Sequence, residues 1–82
     1  MDFKWRCPEG QVEVHVNLLN EAIAVLRRTC AKPRPDGTFE LLAAPNYHAD
    51  DEEWQFLPGA IVRCRYEDWE SGTWLVAYEE PK

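Results

Sequence analysis

The stretch from Trp54 to Tyr78, WQFLPGAIVRCRYEDWESGTWLVAY, leaves this chain few folds to choose from. In an extended chain Val62, Cys64 and Tyr66 point to one side, and Arg63, Arg65 and Glu67 to the other. After a turn at Gly72, Trp74, Val76 and Tyr78 alternate with Leu75 and Ala77. Period-two runs rich in aromatic and β-branched residues, separated by a glycine turn, predict two antiparallel strands of a half-buried sheet. The segment carries a fold signal and no catalytic set.

A second alternating run lies upstream: Val12, Val14, Val16 and Leu18 interleave with Glu13, His15, Asn17 and Leu19. Residues 1–10 read as a tail or a short first strand, with Pro8-Glu9-Gly10 as a turn signal. Residues 18–30 allow two readings. As a helix, Leu19, Ile23, Leu26 and Cys30 fall on one face with Asn17 as N-cap, and periodicity alone favours this reading. As a hairpin, the chain turns near Asn20-Glu21 and returns through Ile23 to Thr29. Lys32-Pro33-Arg34-Pro35-Asp36-Gly37 then breaks either element. Thr38 to Ala43 follow as a strand with Phe39 and Leu41 on one face, then a polar loop over 44–53, and Pro58-Gly59 turns the chain into the strand at Val62.

The stretches VHVNLLNE (14–21), DGTFELL (36–42), EEWQFLPGAIVRC (52–64) and LVAY (75–78) resemble a group of small, uncharacterised bacterial proteins. Their pattern runs LL[DN]E, then W-x-F-x-P-G, V-x-C and a final L-V-A. The chain departs from it over 22–28, where Ala22, Leu26 and Arg28 replace a Gly and a Trp-Arg-Pro. The resemblance implies an all-β domain, a small SH3-like, partly open barrel of about five antiparallel strands, and favours the hairpin for 12–29. It implies no activity and no catalytic residues. The alternative fold is α+β, with a helix over 18–30 on a three-stranded sheet.

Eighty-two residues make a single domain over 1–82 with a small core, to which four Trp, three Tyr and three Phe contribute much of the area. A net charge of −6 repels phosphate backbones, which disfavours nucleic acid and anionic membranes. No apolar run is long enough to span a bilayer. The three cysteines, Cys7, Cys30 and Cys64, are odd in number and contain no C-x-x-C, so the expectation is reduced thiols in a cytoplasmic protein, with no signal peptide at the N-terminus.

Chemistry is sparse. His15, His48 and the cysteines offer no short ligand pair of the kind zinc sites use, so neither a metal nor another cofactor is expected. Cys64 lies between Arg63 and Arg65, which would lower its pKa if exposed, but alternation turns it toward Val62 and Tyr66 as a core residue. Ser71 is the only serine and sits in a turn, and the four glycines form no phosphate loop. The aromatics remain. Trp54 and Trp74 fit core or half-core positions. Trp69 stands between Asp68 and Glu70, and Tyr47 in the 44–53 loop; an exposed indole among carboxylates suits a peptide with Pro or basic residues. Folding of Trp69 over the barrel end as a lid is the competing reading. Arg27, Arg28, Arg63 and Arg65 would form a basic face if their strands paired.

The expected function is therefore a non-enzymatic protein-interaction module that binds through loops 44–53 and 67–72, with Tyr47, Asp68, Trp69, Glu70, Arg27 and Arg63 as candidate site residues. Homo-oligomerisation through an exposed strand edge is the alternative, ahead of single-stranded nucleic-acid binding or a Cys64-dependent enzyme.

Overall fold

In the computed structural model, described for residues 6–44, 47–48 and 50–81, the chain forms five strands in sequence order. They are β1 (Val12–Asn17), β2 (Leu26–Pro33), β3 (Phe39–Leu41), β4 (Ile61–Trp69) and β5 (Gly72–Glu79). Each strand is antiparallel to the next, and the sheet closes on itself in the order β1-β2-β3-β4-β5. With five such strands the first and last run in the same direction, so closure has to be parallel. It is made by one register pair, His15 with Val76. The all-β small barrel read from the sequence is the fold.

Helical spacing over 18–30 is overturned. Residues 18–25 are an irregular loop, and β2 returns along β1 from Leu26 opposite Asn17 to Ala31 opposite Val12. The supposed helical stripe buries little at its start: Leu19 is 40% and Ile23 76% exposed. The loop is held by backbone instead. Leu18 N–H donates to Val25 O at 3.0 Å, and Leu19 N–H to Glu53 O at 2.7 Å. Asn20 turns the chain with φ +62°, a conformation its short polar side chain tolerates.

The core lies where period two predicts. Val14, Val16, Ala31, Leu41, Val62 and Ala77 fill the interior, and Trp54 plugs it at 2% exposure. Trp54 bridges to Leu18, and its indole Nε1 donates to Glu52 Oε1 at 2.9 Å. Thr29, wholly buried opposite Val14, donates its hydroxyl to Leu42 O at 2.7 Å, so the polar atom carries no desolvation penalty.

One cysteine expectation fails. Cys7 and Cys30 are joined in a disulfide across 23 residues, with Cα atoms 5.7 Å apart. The odd count concealed a pair plus one free thiol at Cys64. The bond ties the segment before β1 to β2, and the inference of a reducing compartment from three free thiols loses its basis. Residues 6–10 add no strand; Gly10, at φ +87°, turns the chain instead. The earlier part of the expected tail, 1–5, lies outside the described residues. Among the described residues no helix is long and apolar enough to cross a membrane.

Candidate functional site

The outer face of the barrel is not uniformly solvated. Val14 and Val16 point inward, so His15 points out, and its register partner Val76 shares that face. Yet both are buried, His15 to 7% and Val76 to 0%. β5 is thus covered on both sides, with Leu75 and Ala77 packed in the core and Val76 sealed outside it. Trp74 lies against His15 with ring centroids 4.9 Å apart and a tilt of 41°. His15 Nε2–H donates to Glu13 Oε2 at 2.9 Å, which orients the imidazole.

Between the β4–β5 hairpin and the start of β2 runs an open groove of about 550 Å³. Its walls are His15 from β1, Ala24 to Arg28 from the loop and β2, and Trp69, Ser71 and Trp74 from the hairpin. Both indoles are half-buried, and their N–H groups are spent within the chain. Trp69 Nε1 donates to Glu67 Oε1 at 3.1 Å, and Trp74 Nε1 to Ser71 Oγ at 2.9 Å. What the rings offer a visitor is therefore their apolar faces. Gly72 is required here: at φ +139°, and with its missing Cβ position 3.1 Å from the Trp74 ring, a larger residue would displace the indole.

The candidate residues divide between separate places. Trp69 and Arg27 line the groove; Arg27 Nε also donates to Glu52 Oε1 at 2.8 Å, tying β2 to the 50–54 segment. Asp68, exposed near the end of β4, accepts from the Thr73 hydroxyl at 2.7 Å, while Glu70 is exposed in the hairpin turn. Arg63 lies farther along β4, 3.4 Å from Glu79. Tyr47 packs edge-on against Trp54, centroids 4.9 Å apart, as part of the core wall. Its loop contributes instead to a smaller groove of about 250 Å³ lined by Glu21, Asp50, Asp51, Glu52 and Glu53.

The two other rings of the groove, His15 and Trp74, stand outside the expected set. Their signal was present: β5 is apolar in both phases, which means both of its faces are covered. Cys64 is half-buried against the core, and burial pushes its thiol up to about 11, so at neutral pH it is protonated and a poor nucleophile. Among the described residues no three His, Cys, Asp or Glu side chains are grouped to hold a metal ion. Glu52 has its carboxyl held below the ordinary range, first by the Trp54 indole and then by Arg27. No protein-family model, curated protein or solved structure matches the chain.

Proposed function

We propose that this protein is a non-enzymatic interaction module and that the groove between Trp69, Trp74 and the start of β2 receives an extended segment of a partner protein. One observation carries the reading: two indole faces, with their N–H groups already bonded, form the wall of an open groove. Flat apolar rings of this kind take up proline rings or the methylene stems of basic side chains. Asp68 and Glu70 at the hairpin end supply negative charge for a Lys or Arg head, and the domain's net charge of −6 favours such a partner at long range. Loop 44–53 drops out of the interface, because Tyr47 supports Trp54.

The test is a peptide-display selection against the folded protein, followed by titration of the selected peptides. Proline-containing basic sequences should be enriched. Removing an aromatic anchor at the centre of a small interface costs about 2 kcal/mol. Trp69→Ala and Trp74→Ala should therefore each weaken binding by more than about tenfold. Peptides that bind both variants as tightly as the parent would place the site elsewhere.

A further inference from the structure

In the closed sheet β4 outruns its neighbour β3. β3 pairs with β4 only at Phe39 with Val62 and Glu40 with Ile61, yet β4 runs on to Trp69. Among the described residues no strand lies beside the far edge of β4 from Arg63 onward, and Tyr66 is 74% exposed there. A bare edge of this length is a template for a further strand. We propose that the strand it receives is β4 of a second copy, paired antiparallel about a two-fold axis through Tyr66.

The charges on the edge select this arrangement. In a symmetric antiparallel pair the pleat allows only registers centred on a residue, because opposed residues share a face. Centred on Tyr66, the pair sets Arg65 opposite the second copy's Glu67 on both sides of the axis and stacks Tyr66 against its own equivalent. Within one chain Arg65 Nε already donates to Glu67 Oε2 at 3.1 Å. Pairing would join the two dipoles into a ring of four alternating charges. Neighbouring registers are penalised. Centring on Arg65 opposes two arginines, centring on Glu67 opposes two glutamates, and centring on Cys64 opposes Arg63 and Arg65. Like charges directly opposite are destabilising, so the edge repels wrong pairings and accepts one. Arg65 also covers the Tyr78 ring at 4.6 Å, which holds its guanidinium near the strand. The contact is small, so the dimer is a weak one. It does not depend on the reading of the groove.

Sedimentation of the unmodified protein from micromolar to millimolar concentration tests the proposal. The expected result is a monomer that becomes a dimer, with the alternate amides of residues 64–68 that point away from β5 gaining hydrogen-exchange protection over the same range. Arg65→Glu and Glu67→Arg should each remain monomeric, and an equimolar mixture of the two should restore the dimer, because each strand then faces opposite charges. The double variant R65E/E67R should dimerise as the parent does, which separates lost pairing from lost folding. A parent that stays monomeric at millimolar concentration, a dimer that survives both single changes, or a mixture that fails to associate would overturn the proposal.

Discussion

The two faces of the barrel wall solve different problems with different side chains. Inside, Val14, Val16, Ala31, Leu41, Val62 and Ala77 are aliphatic, mostly β-branched or small, and fully buried. Outside, Trp74 lies against His15, and these rings and Trp69 line a groove with the start of β2. A five-stranded barrel has no room for four indoles. It takes Trp54 as a plug and leaves Trp69 and Trp74 on the outer side, where their faces are available. The inner face holds the fold together, and the outer one carries the groove proposed to bind.

If that division holds, the largest stability loss should come from the inner side. Trp54→Ala removes the plug, the Tyr47 contact and the Glu52 bond together, and should cost about 4 kcal/mol in urea denaturation. A small domain has little more than that in total, so partial unfolding at room temperature is an expected outcome. A loss below about 1 kcal/mol would mean the core does not depend on its plug.

Next comes the disulfide. Cys7→Ser, or reduction of the parent, should lower stability by about 3 kcal/mol through the freed 23-residue span. The groove should keep its peptide affinity, because Cys7 and Cys30 lie outside it. Equal stability with and without reductant would deny the bond a role.

The smallest effect is acid sensitivity. The folded Glu52 carboxyl titrates below its ordinary value of about 4.3 because it accepts the Trp54 indole and the Arg27 guanidinium. The unfolded chain therefore binds the proton first as pH falls, so this contribution is full above the ordinary value and lost as pH drops through the folded one. Asp36 behaves alike through the Thr38 hydroxyl and amide. Stability measured against pH should decline on the acid side of that range, and Glu52→Gln should make the decline shallower. An unchanged slope would show that Glu52 does not couple the 50–54 segment to the plug.

Much of the fold was legible because strand alternation is a local signal. β1, β3, β4 and β5 each announce themselves within a few residues, and the Phe39 and Leu41 face lies as expected. Over 18–30 the spacing of Leu19, Ile23, Leu26 and Cys30 matched a helix while the resemblance favoured a hairpin, and the hairpin is what forms: β2 pairs back on β1, and backbone bonds to Val25 and Glu53 hold the loop and leave Ile23 in water. The disulfide was hidden by distance in sequence and by the odd count. The groove was half legible. Trp69 stood out by its acidic neighbours, but His15, Leu26 and Trp74 come from three strands and share no local pattern. Tyr47 sits in a polar loop yet turns inward, and only the position of Trp54 shows why.

The division between the two faces is tested most directly by mapping a selected peptide on the protein with amide and indole chemical shifts. The largest changes should fall at His15, Leu26, Trp69 and Trp74, including both indole N–H signals, while Tyr47, Trp54 and residues 50–53 stay still. Changes concentrated at Tyr47 and the 50–53 loop, with the Trp69 and Trp74 indoles unmoved, would contradict it.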